Sequence, residues 1–516
     1  MPSTLRKQIS KLIATAYDPQ TSRLVGEHMV DLLSRHLEVV QSGNGPVLHW
    51  HEPNENIQLA CQQIEVAEDQ QSSNIEDLLS RFDELIEQTL QRGQNLHHPH
   101  YVGHQVPASL PLAGLFDALT TITNQVMAIY EMGPWATAVE RAVVQKLGEK
   151  IGFPPDAFTG LVTSGGSLAN LTALLTARNV TLGGSWSQGL ARSASGLPED
   201  SPAPVLVTHA EAHYCVTRSA GILGLGTEQV VRVPLDEQRR MDVAALDRIL
   251  SDLRKQGVPI VAVSAAACAT PVGAFDPLVE ISAVCRQHDV WLHVDAAHGG
   301  AACFSAKHRH LVAGLHLADS VVCDAHKMMF IPALCALVFY RNPEHRYAAF
   351  QQAAPYLFDP SAPGMAVYDN GISNLECTKR AAAIGLWGVW SLFGSRLFEA
   401  LVDSTFELGQ HFYNLLVEQP DFQPFCQPEC NIVVFRYLPE ELRERSAKEV
   451  DDFQLRLRRE VIQSGEYYLV QTCIDGQSYL RTTLINPLTT IDHLQGLLEC
   501  LREQGRRISS SQAAES

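Results

Sequence analysis

The sequence predicts an α/β chain with a mostly parallel sheet, followed by a smaller α+β C-terminal domain. Three observations carry that expectation. Between about residues 110 and 340, short apolar runs alternate with helical patterns, the texture of βαβ units. After Trp387 the alternation gives way to a long helical stretch and then to mixed strands and helices. A chain of 516 residues is also too long for one simple core.

The elements follow in order. The opening MPSTLRKQISKLIATAYD carries basic residues but no long apolar core or small-residue cleavage site, so it reads as an amphipathic helix. Over Ile75–Gln91, Leu78, Leu79, Phe82, Leu85 and Ile86 share a helical face, with Ser73 and Asn74 as candidate caps. His97, His98, Pro99 and His100 end that pattern and close an N-terminal helical segment, residues 1–109. The large domain, 110–390, contains apolar runs at Gly160–Thr163, Val205–Thr208, Val230–Val233, Ile260–Ser264, Val290–Val294 and Ser320–Cys323. Helical patterns intervene at Ser167–Asn179, Val243–Lys255 and Leu278–Gln287. A helical stretch to about Val417 leads into the small domain, 391–506. It has strands near Asn431–Arg436, Tyr468–Val470 and Tyr479–Leu484, and helices near Val450–Ser464 and Ile491–Gln504. The polar segment 507–516 is expected to be a disordered tail.

Composition narrows the function. An apolar fraction of 46% and a charged fraction of 19% describe an ordinary soluble globular protein. A formal charge of −18 argues against nucleic acid or an anionic membrane as partner. No apolar stretch approaches membrane-spanning length. The twelve cysteines contain no CxxC, and Cys426 and Cys430 are the closest pair. That spacing suits reduced, buried thiols in a cytoplasmic protein better than a zinc cluster.

Ligands on parallel sheets bind beyond the strand C-termini, so the segments that follow the apolar runs are where chemistry is expected. After the first run stands Thr163-Ser164-Gly165-Gly166-Ser167-Leu168-Ala169-Asn170. Its glycines permit close backbone approach, and the helix start offers free N–H groups to a phosphate dianion. A turn that only caps a helix reads the same way. Next comes His209-Ala210-Glu211-Ala212-His213-Tyr214, where an imidazole can stack on a planar ring, ligate a metal or serve structure alone. Asp295, in His293-Val294-Asp295-Ala296-Ala297-His298-Gly299-Gly300, carries a carboxylate into apolar surroundings. Such a group needs a partner, for which a pyridinium N–H or a turn N–H would serve, and the small Ala297 leaves room for a flat ring. Finally, Lys327 follows Asp324-Ala325-His326 and is flanked by Cys323, Met328, Met329 and Phe330. Burial there is expected to lower its pKa and make it a nucleophile; a snorkelling lysine is the alternative. A phosphate cradle, a ring-stacking group, an acid for a ring nitrogen and an amine for an aldehyde are together what one cofactor needs, pyridoxal 5′-phosphate (PLP).

At these residues the chain resembles the group II PLP-dependent decarboxylases, which act on glutamate, cysteine sulfinate, aspartate, 2,4-diaminobutyrate and aromatic amino acids. The TSGGSxAN, HVDAAxGG and HK segments carry the resemblance, which spans about His98 to Pro487. It implies the aspartate-aminotransferase-like fold (fold type I of PLP enzymes), and a homodimer with sites at the subunit interface, to which the helical stretch Leu110–Met127 could contribute. It implies that Gly166 and Ser167 hold the phosphate, His213 stacks on the ring, Asp295 binds the ring nitrogen and Ala297 packs beneath it. Lys327 then joins the aldehyde, with His326 just before it and Thr270 near the cofactor. Arg481, in Leu480-Arg481-Thr482 before Asn486-Pro487, resembles the arginine that grips the substrate α-carboxylate in glutamate decarboxylases.

Three departures accompany the likeness. The family's Gly-Thr-Thr is Cys268-Ala269-Thr270, its Asn-Pro before His-Lys is Asp324-Ala325, and the loop Gln351–Gly371 differs. Relatives place a proton-donating tyrosine in that loop, opposite Gly364 here; Tyr368 is the nearest substitute, and His326 is the other candidate acid. The expected reaction is decarboxylation of a small acidic or polar L-amino acid (aspartate, glutamate or 2,4-diaminobutyrate, by likeness of the Arg481 and Tyr356–Pro360 segments) to an amine and CO₂, a step of carboxylic-acid metabolism. A PLP-dependent lyase or aldehyde-forming deaminase uses the same features, and a catalytically silent PLP-binding protein is a further reading. A metal hydrolase would instead draw on His209, Glu211, His213, His293, Asp295 and His298; no metal is expected.

Overall fold

The computed structural model describes residues 3–69, 74–190, 202–350 and 366–515. The N-terminal segment forms α1 (Ser3–Tyr17), α2 (Pro19–Gln41), α3 (Pro53–Asp69) and α4 (Ile75–Arg92). As expected, Asn74 caps α4, its side chain accepting from the Asp77 N–H; Ser73 lies outside the described residues.

The central region then runs α5 (Pro111–Ile122), β1 (Val126–Met127), α6 (Pro134–Ile151), β2 (Thr159–Thr163), α7 (Gly166–Thr181), α8 (Ser185–Gln188), β3 (Val205–His209), α9 (Tyr214–Ile222), β4 (Val230–Val233), α10 (Val243–Lys255), β5 (Ile260–Ala266), α11 (Leu278–Gln287), β6 (Leu292–Asp295), β7 (Ser320–Asp324), β8 (Ala336–Tyr340) and β9 (Lys379–Arg380). It is followed by α12 (Ala383–Phe393), α13 (Ser395–Val417), β10 (Phe422–Pro424), β11 (Ile432–Tyr437), α14 (Glu440–Arg443), α15 (Ala447–Ser464), β12 (Val470–Ile474), β13 (Gln477–Thr483) and α16 (Ile491–Glu515).

Seven strands form the large sheet in the order β2-β8-β7-β6-β5-β3-β4. Strands β3 to β7 pair in parallel, and β8 runs antiparallel to both β2 and β7. Because β8 reverses direction twice over, β2 points the same way as β7. The turn after β2 therefore opens on the same sheet edge as those after β3, β5, β6 and β7. Strand β8 was not expected: its buried Ala-Leu-Val-Phe-Tyr run follows β7 with no helix between, so the strand–helix alternation did not mark it. The small sheet has the order β10-β11-β13-β12, with Val434 opposite Arg481 in the antiparallel β11–β13 pair.

The described chain divides into two compact units. One comprises Met1–His104, Tyr437–Gln471 and Leu488–Ser516; the other comprises Gln105–Arg436 and Thr472–Pro487. The division differs from the expected boundaries at 109, 390 and 506. Residues 391–436 belong with the large sheet because α13 buries Phe398, Leu401, Val402 and Phe406 in its core, with Phe398 5.0 Å from Phe304. The helical stretch after Trp387 is two helices, broken at Gly394, whose φ of +68° suits glycine. The expected tail is a second correction: α16 continues to Glu515. Arg507 pairs with Glu503 one turn earlier, and the residues that follow include ordinary helix formers. Among the described residues, no helix is long and apolar enough to cross a membrane.

Candidate active site

The strand ends converge on a cavity of about 310 Å³. Its lining includes Ser164–Ser167 and Asn170 after β2, His213 after β3, Cys268–Thr270 after β5, Asp295, Ala297 and His298 from β6, and Asp324, His326 and Lys327 from β7. Gln105, Val216 and Leu334 also face it. The sequence-predicted residues Gly166, Ser167, His213, Thr270, Asp295, Ala297, His326 and Lys327 are thus brought together from five separate segments.

At the phosphate turn, Gly165 takes φ +104° and α7 starts at Gly166 with no side-chain cap. Its first N–H groups are therefore available to an anion, beside the Ser167 hydroxyl. Gly166 has no room for a side chain: a Cβ would meet Asp324 Oδ2 at 2.5 Å.

His213 caps α9, its Nδ1 accepting the Cys215 N–H at 3.3 Å. Burial lowers its pKa, partly opposed by the Asp295 carboxylate. Asp295 ends β6 and accepts the Ala297 N–H at 3.1 Å; it is both a turn cap and a cavity carboxylate. Two residues earlier on β6, His293 is held by Asn170 Oδ1 at 2.8 Å and Ser320 Oγ at 2.9 Å, which ties β6 to the helix that begins at the phosphate turn.

Lys327 corrects one expectation. Its Nζ lies 3.2 Å from Asp324 Oδ2, a carboxylate that is only 1% exposed. Burial, which lowers an ammonium's pKa, is outweighed by the Asp324 and Asp295 carboxylates, so the Lys327 pKa stands above its ordinary value rather than below it. Asp324 is pushed up by burial and drawn back by Lys327 and His326. Sequence reasoning had noted Asp324 only as a departure from Asn; that departure was the available signal. His326 keeps Nδ1 2.8 Å from the Cys335 carbonyl and Nε2 3.6 Å from Asp324.

Two expected residues stand outside the lining. Arg481, on β13, is buried beside Cys268 and Cys430, and its Nε and one terminal nitrogen have no hydrogen-bond partner among the described residues. Burial brings its pKa down to about 10. Tyr368 is half exposed, with its ring 5.8 Å from that of Tyr130 and 5.7 Å from the Arg141 guanidinium carbon. Gly364 and Tyr356–Pro360 lie outside the described residues. The alternative metal set does not gather: His209 binds the Arg239 carbonyl at 3.1 Å, His293 is held as above, and His298 Nε2 binds Asn431 Oδ1 at 2.8 Å. Among the described residues, the group with ligand-like spacing is Cys268, His298 and Cys430, of which only His298 was in that set.

The donor set fits PLP: an uncapped helix start and a hydroxyl for phosphate, a carboxylate for the ring nitrogen, and an amine for the aldehyde, in one cavity. The pyridoxal-dependent decarboxylase conserved domain matches residues 58–438 of the chain. The chain belongs to that family. It is a PLP-dependent carboxy-lyase of fold type I, acting on an amino acid. This decarboxylase is 29% identical over 503 residues to the mouse acidic amino acid decarboxylase GADL1, covering 95% of this chain and 88% of the relative. Its structure is similar to that of mouse CSAD, with a TM-score of 0.84 at 26% identity, covering 95% of this chain and 99% of that one. It also shares its fold with the glutamate decarboxylase domain of the diaminobutyrate-pyruvate transaminase and L-2,4-diaminobutyrate decarboxylase from Vibrio parahaemolyticus. There the TM-score is 0.78 at 22% identity, over 94% and 95% of the two chains.

Proposed function

We propose that this decarboxylase converts a small acidic or polar L-amino acid (aspartate, glutamate or 2,4-diaminobutyrate) to its amine and CO₂, working as a homodimer. The Arg481 guanidinium, buried with two nitrogens that lack hydrogen-bond partners among the described residues, supports an amino-acid substrate through the α-carboxylate that every amino acid carries. A buried cation needs an anion, and a carboxylate meets it through two parallel hydrogen bonds. The narrower class, an acidic or small polar side chain, is carried by the likeness to a mouse acidic amino acid decarboxylase.

The residues divide the work. Gly166 and Ser167 anchor the phosphate. PLP, once bound, supplies the electron sink for the pair left on Cα as CO₂ departs. Asp295 keeps a proton on the ring nitrogen by placing negative charge beside it. His213 and Ala297 would hold the ring, and Thr270 lines the same cavity. Arg481 lies outside the cavity lining but beside Cys268, which is part of it, and from there would orient the carboxylate so that the bond to be broken stands perpendicular to the ring. Lys327 is the amine that would hold the cofactor through its aldehyde. His326 lines the cavity and Tyr368 does not, so His326 is the preferred donor of the proton to Cα.

The dimer reading rests on α5, which exposes Leu112, Leu115, Leu119 and Ile122. A reducing compartment, with a cytoplasmic setting, fits the twelve unbridged cysteines.

Product analysis tests the function. Purified, PLP-loaded protein is offered the proteinogenic amino acids with 2,4-diaminobutyrate and cysteine sulfinate. An amine with stoichiometric CO₂ from an acidic or small polar substrate is expected; aldehyde with ammonia, or an aromatic amine, would overturn it. Borohydride reduction followed by peptide mapping should place the pyridoxyl label on Lys327, and a label on another lysine would undo the site.

A further inference from the structure

Asp324 faces both ends of the cofactor site. Its Oδ2 is 3.2 Å from Lys327 Nζ and 3.6 Å from His326 Nε2. The same carboxyl lies against the phosphate turn: a Cβ on Gly166 would meet Oδ2 at 2.5 Å and Oδ1 at 3.0 Å. The side chain is 1% exposed, and Oδ1 has no hydrogen-bond partner among the described residues. On pyridoxal phosphate the aldehyde and the phosphate arm are neighbouring ring substituents. A side chain placed between the linking amine and the phosphate turn can therefore act on both.

The chemistry there is conflicted as long as the carboxyl is ionised. The start of α7 favours an anion, whereas a carboxylate facing it repels one. A protonated carboxyl has an O–H to donate and removes the repulsion.

We propose that Asp324 is a proton-carrying positioning residue for cofactor capture: it is ionised and paired with Lys327 in the apo protein, and takes up one proton from solvent as the phosphate arm settles at Gly166–Ser167, donating its O–H to a phosphate oxygen. The only bond formed in this step is that O–H.

The surroundings agree. Burial raises the Asp324 pKa, Lys327 and His326 from its own turn oppose that, and Asp295 from β6 reinforces it. His213 and Cys215 at the start of α9, with Cys323 and Cys335 to either side of the turn, are the other titratable groups that face it. A neutral Asn at this place would donate at every pH, whereas with Asp324 the donor exists only after a proton is taken up.

The inference rests on the phosphate lying at the Gly166 turn, and the test separates the two. Apo protein is titrated with pyridoxal phosphate and with pyridoxal, following absorbance and protein fluorescence, between pH 7 and 9. The second ionisation of a phosphate ester, near pH 6, is complete there. The ratio of the two dissociation constants isolates the phosphate arm and cancels the lysine chemistry. In the wild type the advantage conferred by phosphate should shrink as pH rises, by up to about tenfold per pH unit, the signature of one proton taken up on binding. Asp324→Asn should flatten that slope and hold pyridoxal phosphate more tightly than the wild type at pH 9. A wild-type ratio independent of pH overturns the proposal without reference to any variant. Equal slopes in wild type and Asp324→Asn overturn it as well. If phosphate confers no advantage at any pH, the placement of the phosphate fails, and the proposal with it.

Discussion

Arg481 and His293 show how burial turns single residues into testable claims. The Arg481 guanidinium offers a fork that lysine cannot reproduce. Arg481→Lys should lower kcat as well as raise KM, with a loss in kcat/KM of about tenfold or more, the scale of one charge-assisted hydrogen bond. The absorbance of bound PLP should be unchanged; a pure KM effect would remove the orienting role. His293 and His298 are both buried, and burial holds their pKa values down to about 4 and about 3. The unfolded chain binds a proton on each near pH 6.5 while the folded chain does not, so stability present above that pH declines as pH falls towards 4. Each histidine adds a slope of up to about 1.4 kcal/mol per pH unit. Urea unfolding of His293→Gln between pH 6.5 and 4.5 should show that slope reduced by one proton, and an unchanged slope would remove His293 from the account.

At the scale of elements, β2 must end in the right place for its turn to meet the cofactor, and a buried ion pair braces it. Lys379 Nζ is 2.7 Å from Glu140 Oε1 and 2.7 Å from the Val162 carbonyl, and Glu140 accepts the Val162 N–H at 3.3 Å. Helix α6, strand β2 and strand β9 are thereby joined one residue before Thr163. Removing one partner leaves an uncompensated charge in the interior, so Lys379→Met should destabilise the protein by roughly 3–5 kcal/mol. Replacing both partners, as in Lys379→Met with Glu140→Leu, should recover most of that loss. Chemical denaturation of the single and double variants decides it; a double variant no better than the single would mean that the pair is not the brace.

For the molecule as a whole, the apolar surface of α5 is one feature a lone subunit leaves unexplained. Leu115, Leu119 and Ile122 are 54, 56 and 84% exposed. If a second copy covers them, the wild type should run as a dimer in size-exclusion chromatography with light scattering. Leu115→Asp with Leu119→Asp should then weaken association by about 100-fold or more, because each substitution carries a charge into the interface. A monomeric wild type at micromolar concentration would end the homodimer reading.

The sequence by itself determined many, not all, of the strands and helices of the central region, since buried runs and amphipathic faces are local patterns; α6 and α9 went unmarked. Runs such as Val230–Val233 and helices such as Val243–Lys255 were legible to the residue. The cofactor motifs were legible too, because a glycine turn, an Asp after a strand and a lysine among apolar neighbours each have a local meaning. Antiparallel β8, the break at Gly394 and the helical course of 507–515 were not, because they depend on strand pairing or on helix continuation past a polar stretch. The direction of the Lys327 pKa shift was decided mainly by tertiary structure, with Asp324 three residues earlier as its one local signal. Local sequence showed a lysine in an apolar turn, for which burial predicts a lowered pKa. Folding sets the Asp324 carboxylate against it and Asp295, from the neighbouring strand, within electrostatic reach. At low dielectric those two carboxylates outweigh desolvation.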